Sequence, residues 1–179
     1  MDLAIAYHKA GDAAMVAALK DADLGEMKFR EKVAHAVKLR LQAITDREAV
    51  RRGTTLFALP HLAGDGTRLI WGTADAIWTA LGDVSDDYNW YTKRMTLSGV
   101  YSATVLYWLG DDSADNQATW DFLDRRIENV MQFEKMKAQV NGNPLLKPFL
   151  AGPNWVLSQI KPPARMPDVD LPGMINPNP

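Results

Sequence analysis

Nine of the ten prolines in this 179-residue chain fall after residue 141, leaving an N-terminal stretch interrupted only by Pro60. Proline removes a backbone donor and clashes with the preceding helical turn, so the asymmetry confines long continuous helices to the first 141 residues. Gly25, Gly82 and Gly110 divide that stretch further, because glycine is a common helix stop.

Within these bounds the apolar residues recur at helical spacing. From Asp2 to about Leu24, the recurrence of Leu3, Tyr7, Ala10, Ala14 and Ala17 predicts a first helix with an apolar side. Met27 to Ile44 predicts a second, with Val33, Val37, Leu41 and Ile44 inward and Arg40 among the charged residues elsewhere. A shorter helix spans roughly Asp46 to Ala58 and ends before Pro60. Gly64-Asp65-Gly66 reads as a turn, and Thr67 to Leu81 as a helix with Ile70, Ala74, Ile77 and Leu81 on its face, beside Trp71 and Trp78. Ser85 or Asp83 can cap the next helix, which runs to Leu109 with Trp90, Leu97, Tyr101, Thr104 and Trp108 on one side. Being apolar nearly all round, it is expected at the centre. A long sixth helix reaches about Val140, carrying Trp120, Leu123, Ile127 and Val130. Six helical segments with no strand alternation predict an all-α bundle over residues 1–141. Residues 142–161 read as short apolar helical segments and 162–179 as a proline-rich, extended tail.

The chemistry that such a bundle can carry is bounded next. Twenty Lys and Arg against 22 Asp and Glu give a net charge of −2, without the basic excess usual in nucleic-acid binders. With no cysteine there is no disulfide, thiolate zinc site or cysteine nucleophile. His8, His35 and His61 lie on separate segments with no metal-binding spacing, and Asp111, Asp112 and Asp115 lack the glycine and terminal glutamate of a calcium loop. No serine sits in G-x-S-x-G and no phosphate loop occurs, so neither a catalytic constellation nor a cofactor is expected. The acidic start of the chain does not resemble a targeting peptide, and no segment approaches the ~20 apolar residues of a membrane span.

What remains distinctive is the aromatic content of the later helices. Trp71, Trp78, Leu97, Tyr101, Trp108 and Met131, selected by periodicity, can fill a core or wall an apolar ligand cavity. NWYTKRMTLSGVYSATVLYWLGDDS (Asn89 to Ser113), TWDFLDRRIENVM (Thr119 to Met131) and the upstream RLIWGTADAIWTALGDVSDD closely resemble the Coq-nine family, lipid-binding accessory proteins of ubiquinone biosynthesis, and its bacterial branch in particular. The similarity extends from about Leu3 to Val140.

That resemblance implies the fold of TetR-type repressors, here with the N-terminal helix-turn-helix largely missing, and a bundle holding an isoprenoid lipid or phospholipid. It implies no enzymatic activity, but presentation of the quinone precursor to the di-iron demethoxyubiquinone hydroxylase. It places partner docking at Trp90 and Tyr91, with Asn89, Lys93 and Arg94 alongside. It also implies a peripheral position on the inner membrane from the cytoplasmic side, with Phe149, Leu150 and Trp155 as membrane contacts, although Pro144, Pro148 and Pro153 interrupt that segment. Self-association as a homodimer through the last helices is a further expectation. The rival reading is a TetR-like transcriptional regulator or another ligand-sensing helical protein; it requires a basic helix-turn-helix that is not visible in the first 25 residues.

Overall fold

The computed structural model describes residues 1–142. The apolar segments at 142–161, with Phe149, Leu150 and Trp155, and the tail at 162–179 lie outside the described residues, apart from Gly142. Six α-helices follow in order: α1 (Asp2–Asp21), α2 (Phe29–Gln42), α3 (Arg47–Phe57), α4 (Ala63–Ala80), α5 (Asn89–Leu109) and α6 (Gln117–Gly142). A 3₁₀ turn at Ala114–Asn116 precedes α6, and there is no strand among the described residues.

Local chemistry sets several of these boundaries. Asp46 accepts a hydrogen bond from the Ala49 amide and caps α3. The Glu31 side chain returns to the Lys28 amide at 2.9 Å and closes the start of α2. Asp111 organises the start of α6 by accepting from the amides of Ser113 and Thr119 and from the Thr119 hydroxyl. Those bonds hold its carboxyl well below the usual carboxylate range.

The core joins Met15 and Leu19 of α1, Val33, Ala36 and Val37 of α2, Ala74, Ile77 and Trp78 of α4, Leu97, Val100 and Tyr101 of α5, and Leu123 and Ile127 of α6. Helix α5 packs between α4 and α6, as its apolar character requires. It is not covered all round: Met95 and Leu106 are exposed.

Three expectations are corrected here. The apolar side assigned to α1 faces outward, with Leu3 84% exposed and Ala10, Ala14 and Ala17 also at the surface. The inward stripe instead runs through His8, Asp12, Met15 and Leu19, and its two polar members find buried partners. Gly64-Asp65-Gly66 is not a turn but the opening of α4, which begins at Ala63. Gly66 is buried there, and a Cβ on it would come within 2.8 Å of the Phe57 Cβ, so glycine permits the close approach of α3 to α4. The start of α5 also falls later than Ser85, because Asp83 bonds Ser85 and Asp87 bonds Asn89 in short local turns.

Candidate functional site: an apolar cavity with a polar floor

A cavity of about 880 Å³ opens between α1, α3, α4 and α5, within the roughly 300–1,000 Å³ typical of small-molecule sites. Its walls are mainly apolar, with Ile44, Leu56, Phe57, Leu69, Ile70 and Val105 contributing. Helix α3 supplies one wall and has no buried residue of its own, so its apolar side is turned toward this space.

The polar part of the lining comes from a hydrogen-bonded cluster. Arg40, 3% exposed, donates from Nε to Asp12 at 2.6 Å and from Nη2 to the His8 carbonyl at 3.0 Å. Fully buried Thr73 donates to the same Asp12 oxygen at 2.9 Å and lies 2.8 Å from His8 Nε2. The Tyr101 ring lies beneath the Arg40 guanidinium, 5.9 Å from ring centroid to Cζ. His8, Arg40 and Tyr101 all reach the cavity surface. Burial lowers the His8 pKa below its ordinary 6.5, against the opposing pull of Asp12, so the imidazole is neutral at pH 7. Burial pushes the Tyr101 hydroxyl up to about 12. Arg40 and Asp12 balance each other, and the cluster as a whole carries no net charge.

Of the six residues selected as cavity walls, only Tyr101 lines this space. Trp78 and Leu97 are in the core, Trp78 stacking on Phe29 at 5.4 Å. Trp108 is buried under the Arg47 guanidinium, 4.4 Å away, and Met131 is 39% exposed. Trp71 joins Trp90 and Tyr91 in an aromatic group with centroids 4.8 to 6.4 Å apart. Periodicity identifies buried faces and cannot separate a face turned to the core from one turned to a cavity. Hydrophobic periodicity does not reveal the polar floor, because it weighs only apolar residues and leaves His8, Asp12 and Arg40 outside the inward stripes. Their spacing held the signal: His8 and Asp12 stand four residues apart in line with Met15, and Arg40 stands three after Val37.

The five residues assigned to partner docking divide in two. Arg94 has no exposure; it pairs with Asp75 at 2.6 Å and Asp83 at 3.0 Å and stacks 4.0 Å from the Trp90 ring. Trp90 is itself buried, so these two form an internal knot in place of surface anchors. Although burial alone would raise the Asp83 pKa, hydrogen bonds from Lys93, Ser85 and Arg94 hold it well below the carboxylate range. Asn89 is tied to Asp87, and Lys93 to Asp83 and Ser85. Tyr91 and neighbouring Trp71 are half-buried and keep part of their surface in solvent.

Residues 63–134, which include this knot, α5 and most of α6, match the COQ9 family model. This stretch of the chain is similar to the COQ9 family. The bovine mitochondrial ubiquinone biosynthesis protein COQ9 is 37% identical over 89 residues, half of this chain and 28% of its own. The probable mitochondrial coq9 of Dictyostelium discoideum is 32% identical over 133 residues, 68% of this chain and 42% of its own. The chain thus spans less than half the length of these curated relatives. Among solved structures, a TetR transcriptional regulator from Nitrosomonas europaea superposes with a TM-score of 0.57 over 69% of this chain and 68% of that one. At 19% identity it establishes a common fold: the bundle is TetR-like. His8, Asp12 and Arg40 lie before the matched COQ9 residues, whereas Thr73 and Tyr101 lie within them.

No group of His, Asp or Glu among the described residues could hold a metal ion. No described helix is long and apolar enough to cross a membrane.

Proposed function

We propose that this chain is a non-catalytic lipid-binding accessory protein of ubiquinone biosynthesis, taking an isoprenoid lipid into the cavity between α1, α3, α4 and α5. The observation that carries the reading is that cavity: about 880 Å³, walled by aliphatic side chains, in a chain similar over residues 63–134 to the COQ9 family. Native mass spectrometry of the purified protein, followed by organic extraction, tests it. Lipid near one per chain is expected, and replacement of Val105 by Trp, which fills the cavity from α5, should abolish its recovery. Lipid-free protein, or unaltered loading in V105W, would overturn the reading.

Presentation to a partner follows from the same proposal. The partner is the di-iron demethoxyubiquinone hydroxylase, and its docking surface is centred on Tyr91 and Trp71, the accessible members of the aromatic group. Aromatic side chains of this kind are favoured interface anchors. Co-purification of the two proteins, lost in Y91A at unchanged thermal stability, is the expected result. The setting is a membrane surface approached peripherally. Exposed Met95 and Leu106 on α5 favour self-association as a homodimer, measurable by sedimentation.

The TetR-like fold supports a second reading, a ligand-sensing transcriptional regulator. A gel shift showing sequence-specific retention of DNA would favour it over lipid presentation.

A further inference from the structure

The cavity is not uniformly apolar, and its polar part is built from buried and half-buried groups belonging to four helices. His8 and Asp12 come from α1, Arg40 from α2, Thr73 from α4, and Tyr101 from α5 packs against them. Burying so many polar groups has a desolvation cost, met here by their mutual hydrogen bonds. A bundle needing only an apolar sleeve could have closed this end with aliphatic residues. Gly11 reinforces the arrangement: a Cβ there would stand 2.6 Å from Arg40 Nη1 and 2.7 Å from its Cζ, so the missing side chain leaves room for the guanidinium.

The charge balance narrows what this floor can receive. The Arg40 cation is already paired with Asp12, His8 is neutral, and Tyr101 keeps its proton through the physiological range. An anionic phosphate pressed against this cluster would find its one cation, Arg40, already neutralised by Asp12. An uncharged head with carbonyl or hydroxyl oxygens incurs no such penalty, and Tyr101 and Arg40 are hydrogen-bond donors at the cavity surface.

Building on the lipid-binding reading, we propose that the His8–Asp12–Thr73–Tyr101–Arg40 cluster is the head-group subsite of the cavity, selecting a neutral oxygenated ring such as a quinone or phenol over an anionic phospholipid. The lipid lies head inward, with its isoprenoid tail along Leu69, Ile70 and Val105 toward α3 and the start of α1.

The test measures the Kd of three probes for the full chain: a short-tailed ubiquinone, the corresponding branched alkane without a ring, and phosphatidylglycerol. Wild-type protein is expected to bind the quinone more tightly than phosphatidylglycerol. Tyr101→Phe should weaken quinone binding about five- to tenfold, the size of one lost hydrogen bond, while leaving alkane affinity unchanged. Unchanged alkane binding also reports an intact fold. His8→Gln supplies a second variant, expected to shift quinone affinity in the same direction. If Y101F and H8Q bind the quinone like wild type while V105W loses both quinone and alkane, the cavity holds lipid but the subsite is overturned. If phosphatidylglycerol binds as tightly as the quinone, the selection for a neutral head is overturned. If V105W binds every probe normally, the lipid-cavity reading fails first.

Discussion

Two buried arginines, Arg94 and Arg40, solve the same electrostatic problem in different ways. Each pairs with an aspartate at 2.6 Å and lies near an aromatic ring. Arg94 is enclosed completely: two aspartates and Trp90 surround it, and neither it nor those partners line the large cavity. Arg40 is enclosed on its Asp12 and His8 side but borders the cavity on another. A buried ion pair is weak evidence for stability and weaker evidence for function. Access to an apolar cavity distinguishes the arginine that can meet a ligand from the one that locks helices together.

The largest effect should come from the closed site. Arg94→Met leaves Asp83, whose side chain is 3% exposed, without its buried partner. A loss of about 3–5 kcal/mol in urea unfolding is expected. A loss below about 1 kcal/mol would show that Lys93 alone satisfies Asp83 and would erase the contrast with Arg40.

Gly11→Ala probes the open site with less disruption. Alanine gains helix propensity over glycine, yet its Cβ would displace a guanidinium pinned by Asp12 and the His8 carbonyl. Net destabilisation of about 1–3 kcal/mol is expected. Stabilisation would mean that Arg40 moves freely into the cavity.

The smallest effect is the pH dependence. The folded-state pKa of His8 is lowered from 6.5, so below that value the unfolded chain takes up a proton that the folded chain resists. Stability should therefore fall as pH drops from 6.5 toward the lowered native value, and H8Q should flatten that slope. Asp83, lowered from 3.8, acts in a separate and more acidic window: its contribution is present above 3.8 and is lost as pH falls toward its depressed native value. Melts from pH 7 to pH 2 separate the onset of the two.

Much of the fold was legible because its signals are local. The spacing and Pro60 place the third helix at roughly Asp46 to Ala58, and the observed helix runs between those two positions. The α5 stripe of Trp90, Leu97, Tyr101, Thr104 and Trp108 is buried throughout, as its spacing requires. Long-range pairing was not legible. Nothing beside Asp12 in sequence indicates that Arg40 lies 2.6 Å away across 28 residues, or that Asp83 and Asp75 together neutralise Arg94. Hydrophobic periodicity treats such charges as outward, so it reversed the sides of α1. For the same reason it selected a cavity from the largest aromatics, when the cavity is walled mainly by aliphatics and its specificity elements are polar.

Helix α3 is held in an unusual way for a helix of this amphipathicity. Arg47 donates to the Asp111 carbonyl and to Asn116, and Arg51 to the Leu109 carbonyl, so polar tethers join it to the C-terminal end of α5 while its apolar side borders empty volume. Cooperativity within the bundle is therefore uneven: the core can stay intact while this one element opens, at a fraction of the global unfolding free energy. Amide exchange should be fastest along α3 in empty protein. An occupant of the cavity would supply the contacts that the chain itself does not, and part of its binding free energy would be recorded as slowed exchange in a helix that the core leaves almost untouched.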